Sequence, residues 1–232
     1  MAGQRNSFPN RVLLALRAIL NGIIALVIFG AILFIPAGTI KFLNAWLFLG
    51  IFIIFYVSIL IYFSFTNPQY AETRYRAAET ETTQKMAMGM LIVSVLIMFV
   101  VAGLDFRFQC SHIPSIVIAI SSIIMGLSML MIFFAMKQNS YASRVIEIQE
   151  NQELIDTGIY GVVRHPMYLA FTILFLAAPF TLGSWFAVLP AIFIPVFLTI
   201  RIRNEEEVLK KGLRGYEEYM KRVCYRLIPF VW

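Results

Sequence analysis

The sequence predicts an all-α fold: a polytopic helical bundle integral to a membrane, with about five to six transmembrane helices and an amphipathic C-terminal helix. Composition is the first reason. Of 232 residues, 60% are hydrophobic and 14% charged, with a mean hydropathy of +0.79, whereas a soluble domain is nearer a quarter charged. The second reason is that apolar residues gather into six runs, most of them long enough to cross a bilayer. The third is that Lys and Arg crowd into alternate links between those runs.

In chain order, Met1–Asn10 is short, polar and basic. Val12–Ile35 is the first span. It is too long for a signal-peptide core, and no small-x-small cleavage site follows. Arg17 lies near its start and can snorkel. Pro36-Ala37-Gly38 makes a turn, with Lys41 and Trp46 at the boundary, and Phe42–Phe65 is the second span. Asn67-Pro68 stops that helix. Gln69–Lys85 reads as a surface helix or loop, Met86–Leu104 as the third span, Asp105–Pro114 as a polar turn and Ser115–Met136 as the fourth span. After the polar stretch Lys137–Arg164 come two more apolar runs, Pro166–Phe180 and Trp185–Ile200. The link Thr181–Ser184 is so short that these two must form an antiparallel hairpin. The fifth run is short for a full crossing, so the pair either spans or re-enters. Arg201–Trp232 is a charged amphipathic tail.

Orientation follows from charge. With the N-terminus inside and six spans, sixteen Lys and Arg fall on the inner side, and Lys41 and Arg107 fall outside. Both termini are therefore expected to be cytoplasmic. The net charge of +6 reads as topology, with lipid headgroups and not nucleic acid as the acidic neighbours. Cys110 and Cys224 have no metal or redox spacing. No acidic residue falls inside a predicted span, which counts against an ion-coupled carrier.

The chemistry concentrates in Asp156–Ala170. There Tyr160, Arg164, His165 and Tyr168 crowd around Gly158 and Pro166, just before an apolar run. Gly158 permits a turn, His165 is held extended by its proline, and Pro166 suits a first helical turn. Polar side chains at such a start lie beside free backbone N–H groups and the positive end of the dipole, where an anion is held well. A second cluster, Arg201–Leu209, continues the sixth run. Arg201 and Glu205 are four apart and share a face. The hairpin returns this helix end to the start of the fifth helix, beside His165 and Tyr168.

The string Arg164-His165-Pro166-Met167-Tyr168 resembles the Arg-His-Pro-x-Tyr signature of the isoprenylcysteine carboxyl methyltransferase family, which shares it with phospholipid N-methyltransferases. The likeness continues in Arg201-x-x-x-Glu205-Glu206-x-x-Leu209, then Leu213-x-Gly215-Tyr216-x-x-Tyr219, then Arg226-Leu227-Ile228-Pro229-x-x-Trp232. It covers roughly residues 65 to 232 and looks like bacterial and archaeal members. Ala170 stands where the family often has Gly, and Ile159 where it often has Pro.

The resemblance implies one membrane methyltransferase domain over 1–232. Its N-terminal spans cover 1–65, spans three and four with their loops 66–136, and a catalytic region 137–232, with the active site cytoplasmic. It implies S-adenosylmethionine as cofactor, held by Gln152, Glu153, Leu154, Ile155, Tyr160, His165, Pro166, Met167, Tyr168, Glu205 and Glu206, with Glu206 either sharing in that site or only bracing the helix, and no metal. The chain agrees in having no Gly-rich strand–turn–helix fingerprint. Arg201 is the residue expected to grip an acceptor carboxylate, with Arg164 as a weaker second. The acceptor would be a prenylcysteine-like carboxylate, or else a phospholipid or other small lipophile, entering from the bilayer. Sterol reductases, which bind a nicotinamide cofactor, carry a similar Arg-His-Pro-x-Tyr segment and form the rival class; the Glu-Glu tail favours methyl transfer. A non-enzymatic membrane scaffold is the third.

Overall fold

The computed structural model describes residues 8–68, 82–139, 141 and 152–232. They form α1 (Phe8–Ala37), α2 (Leu43–Thr66), α3 (Thr82–Phe108), α4 (Ser115–Gln138), a 3-10 turn (Gly158–Gly161), α5 (Pro166–Leu182), α6 (Val188–Gly212) and α7 (Tyr216–Arg222). Among the described residues there is no strand. The protein is an all-α integral membrane bundle. Most of the expected segment Gln69–Lys85, much of Lys137–Arg164 and the first residues lie outside the described set.

Helices are what such apolar runs must form, because in lipid each backbone N–H and C=O has to be satisfied within the segment. The outward faces stay greasy: Leu20, Val27, Ile54, Ile92, Ile123 and Leu189 are all exposed, which suits contact with acyl chains. α1 to α4 are long and apolar enough to cross a membrane, and α5 is a shorter apolar helix. α5 packs against α4, α6, α2 and α3, while α1 packs on α2 and α3, and α3 on α6. Phe29, Phe48, Phe52 and Phe99 knit α1, α2 and α3 with ring centroids 5.2–5.7 Å apart. α1 and α3 approach so closely that a Cβ on Gly103 would sit 2.6 Å from the Leu33 carbonyl oxygen, the small-residue contact typical of membrane helices.

α5 has 17 residues, about 25 Å of helix against a hydrocarbon core of ~30 Å. The hairpin nonetheless runs the full height of the bundle. At its tip Asn44 Nδ2 donates to the Leu182 carbonyl at 3.5 Å, the Trp185 N–H donates to Ser111 Oγ at 3.1 Å, and Ser184 donates to the Asp105 carboxylate. The tip is thus level with the α1–α2 and α3–α4 links. With six helices alternating, the start of α1 and the C-terminal tail lie at the opposite end.

Two expectations need correction here. Asp105 and Arg107 do not form a turn: α3 continues through Phe108. An acidic residue therefore does sit inside a membrane helix, and Asp105 is 6% exposed. The helix can extend because Ser111 and Ser184 hydroxyls both donate to that carboxylate, replacing the water it would otherwise need. The C-terminal amphipathic helix is also not one piece. α6 carries the charged turns to Gly212, Gly215 (φ +83°) breaks the chain, and α7 adds seven residues.

Candidate active site

The site begins with backbone geometry at the start of α5. Pro166 occupies the first helical position, and the first intrahelical bond runs from the Leu169 N–H to the His165 carbonyl at 3.1 Å. Proline has no N–H, so Met167 and Tyr168 hold the N–H groups that precede the ladder. Both residues line a cleft of about 810 Å³, measured with its open mouth. Just upstream, the N–H groups of Arg164 and His165 donate to the Tyr225 and Arg226 carbonyls at 2.9 and 3.0 Å. The C-terminal tail therefore crosses the entry to α5 and fixes it.

Upstream of α5 the turn at Gly158 (φ +55°) is wrapped by Gln138 at the end of α4. Gln138 donates to the Thr157 carbonyl at 2.6 Å and accepts from the Ile159 N–H at 3.2 Å. A Cβ on Gly158 would lie 2.3 Å from that amide, so another residue would be strained in the left-handed backbone and would push Gln138 off the turn. This turn sets Tyr160, whose hydroxyl donates to the Ala135 carbonyl at 3.3 Å.

Gln152, Glu153, Leu154 and Ile155 form one wall of the cleft, Tyr160, Arg164, His165, Pro166, Met167 and Tyr168 another, and Glu205, Leu209, Leu213, Tyr216 and Tyr219 a third. Burial pushes the phenols of Tyr216 and Tyr219 well above their ordinary range; Glu206 and Glu205 add to the shift at Tyr216. They present neutral aromatic faces. α7 is latched over this region by the Tyr219 hydroxyl, which donates to the Tyr160 carbonyl at 2.7 Å, and by the Arg222–Asp156 ion pair.

At the inner edge of the cleft stands a relay. Arg201 Nε donates to the Tyr168 hydroxyl at 3.0 Å, and that hydroxyl donates to Glu205 Oε2 at 2.6 Å. Glu205 and Tyr168 line the cleft, whereas Arg201, 5% exposed, lies behind Tyr168 and does not. The structure thus brings together the two sequence clusters on α5 and α6.

Glu206 is placed differently. It is 1% exposed, it does not line the cleft, and its two oxygens accept from Arg164 Nε at 2.7 Å and Arg226 Nε at 2.8 Å, with His165 Nε2 at 3.3 Å. Burial pushes this carboxyl up, but the hydrogen bonds from His165 and Arg164 outweigh it and hold it at about 2. Arg164 further donates Nη1 to the Val223 and Cys224 carbonyls at 2.7 and 3.0 Å, and Arg226 stacks over Trp232 at 5.2 Å. Glu206 accepts the Nε2–H of His165, since a carboxylate cannot donate.

A match to known proteins falls on this same half of the chain. Residues 115–214 match the model of phospholipid methyltransferases. The match spans α4, the turn, α5 and α6, and so contains the relay and Glu206. A Delta(14)-sterol reductase of Mus musculus is 36% identical over 85 residues, which is 35% of this chain. The matched region spans 20% of that reductase.

Sequence reasoning missed Gln84, Gln138, Tyr216 and Tyr219 as parts of the site. The two tyrosines were visible in the tail pattern but had no stated role. Gln138 and Gln84 gave one weak signal each, an amide at the polar end of an apolar run.

Proposed function

We propose that this protein is an S-adenosylmethionine-dependent methyltransferase acting on a lipophilic acceptor with an anionic nucleophile, a prenylcysteine-like carboxylate being the best fit. The relay from Arg201 through Tyr168 to Glu205 carries the reading, because it sets a cation and an anion on opposite sides of one phenol. The residues suit the cofactor's chemistry. Glu205 offers a carboxylate to an ammonium, the N–H groups of Met167 and Tyr168 offer donors to a carboxylate at a helix start, and Leu154, Ile155 and Leu213 offer an apolar wall to an adenosine. When bound, adenosylmethionine supplies a methyl group on a sulfonium.

The protein's own task is then to align and to exclude water. A carboxylate acceptor is ionised at neutral pH and needs no base. Arg201 suits its two oxygens through the guanidinium fork, from the side of Tyr168 away from the cleft. Arg164 and Glu206 brace the start of α5 and do not touch the reacting groups. The whole chain acts as one domain, and the charge bias sets the cleft on the cytoplasmic side.

Titration calorimetry with adenosylmethionine and, separately, NADPH tests this. Adenosylmethionine binding is expected; NADPH binding in its place would favour the activity in the matched reductase's name, and binding of neither would sink both. Arg201→Ala should leave cofactor affinity near wild type and sharply reduce turnover, with Arg201→Lys restoring part. A parallel fall in affinity would make Arg201 a brace for Glu205.

A further inference from the structure

Arg201 is long, charged and 5% exposed. A buried guanidinium is costly unless hydrogen-bonded, and holding so long a side chain in one pose costs rotamer entropy. One of its partners comes from the N-terminal half of the chain. Gln84, fully buried on the first turn of α3, accepts from Arg201 Nη1 at 3.4 Å and donates Nε2 to the Arg201 carbonyl at 3.5 Å. Both contacts are long, but they are reciprocal, and they grip the side chain and the backbone of the same residue. They also form where α3 packs along α6, outside the matched residues 115–214.

We infer that Gln84 is a positioning residue for Arg201, orienting its guanidinium toward the acceptor through a neutral amide. The inference rests on the methyltransferase reading. An amide is the side chain for this purpose. Its oxygen accepts from the guanidinium and its nitrogen donates to the backbone, which a carboxylate cannot do. A Glu at the same position would form an ion pair with Arg201 and cancel part of the field an anionic acceptor needs. The two roles open to Gln84 separate on that substitution. If it only fills and satisfies the α3–α6 contact, the stronger pair in Gln84→Glu leaves catalysis alone. If it positions a cation for an incoming anion, Gln84→Glu leaves the fold intact and weakens acceptor use.

The test compares wild type, Gln84→Glu and Gln84→Asn in detergent, by thermal melt, by adenosylmethionine calorimetry, and by methyl transfer to N-acetyl-S-farnesylcysteine. Gln84→Glu is expected to melt no lower than wild type, to bind adenosylmethionine as wild type does, and to lose roughly tenfold or more in kcat/KM, mostly through the acceptor KM, the scale of one misplaced charged hydrogen bond. Gln84→Asn keeps the amide but not its reach. It should also keep cofactor affinity and lose acceptor affinity, and it serves if Gln84→Glu does not fold. Wild-type kcat/KM in the folded variants, or a loss of cofactor affinity that matches the loss of turnover, would overturn the inference while leaving the methyltransferase reading standing. Absence of adenosylmethionine binding or methyl transfer in the wild-type protein would overturn that reading and this inference with it.

Discussion

Glu205 and Glu206 are adjacent on α6, yet they face two regions with opposite demands. Successive helical residues point about 100° apart. That rotation turns Glu205 toward the cleft, beside the Tyr168 hydroxyl, and Glu206 into the protein among Arg164, His165 and Arg226. The tail face is closed: a carboxylate with 1% exposure ties α6 to the start of α5 and to the C-terminal strand of chain. The cleft face is open, and its carboxylate is held on an edge that a ligand can reach. The comparison teaches that the same residue type, one step apart, can be committed to the fold in one case and kept for chemistry in the other.

The largest expected effect lies on the closed face. Glu206→Gln leaves two arginines gathered around a neutral amide, and breaking a buried ion pair by removing one partner costs about 3–5 kcal/mol. A thermal or chemical melt in detergent should show a large loss, and an unchanged melt would erase the contrast between the two faces.

Acidity sharpens the same contrast. The Glu206 carboxyl is held at about 2 in the fold against an ordinary 4.5, so the folded chain takes up its proton less readily than the unfolded one. Its contribution is complete above about pH 4.5 and is lost as pH falls toward 2, on the order of 3 kcal/mol in all. Wild-type stability measured across that window should fall more steeply than that of Glu206→Gln. Parallel curves would mean the lock is not electrostatic.

On the open face, Glu205→Gln should leave the melt nearly unchanged and weaken adenosylmethionine binding by about 1.5–3 kcal/mol, one to two decades in Kd. Wild-type affinity in this variant would move the ammonium's partner elsewhere.

These two faces were not equally legible in the sequence. The runs that became α1, α2 and α4 were readable from length and hydropathy, because lipid leaves helices as the one solution. Glu205 was readable from its spacing to Arg201 and from the short hairpin that returns α6 to α5. Glu206 could be read as either a cofactor residue or a brace for the helix, but its partners could not be read, since they include Arg226 arriving from the tail and an Arg164 held on Val223 and Cys224 carbonyls that no pattern marks. Asp105 was misread for the same reason. Its charge argued for a turn, and the Ser184 hydroxyl that lets it stay in the helix lies 79 residues away. Local pattern fixes elements; the partners that make a buried charge tolerable come from distant chain.

The smallest effect tests whether the open face works as one unit. The Tyr168 hydroxyl is the bridge between Arg201 and Glu205, accepting from one and donating to the other. Tyr168→Phe removes both bonds and keeps the ring that lines the cleft. If Glu205 is aimed by that hydroxyl, its loss should weaken adenosylmethionine binding by about 1 kcal/mol, roughly fivefold, since the carboxylate keeps its charge and loses only its orientation. Combining Tyr168→Phe with Glu205→Gln then gives the decisive number. If the hydroxyl acts through Glu205, the double variant binds no worse than Glu205→Gln alone, because the orientation lost no longer matters. If the two losses add in full, Tyr168 contacts the ligand by itself, and Glu205 is set by the helix and not by the relay.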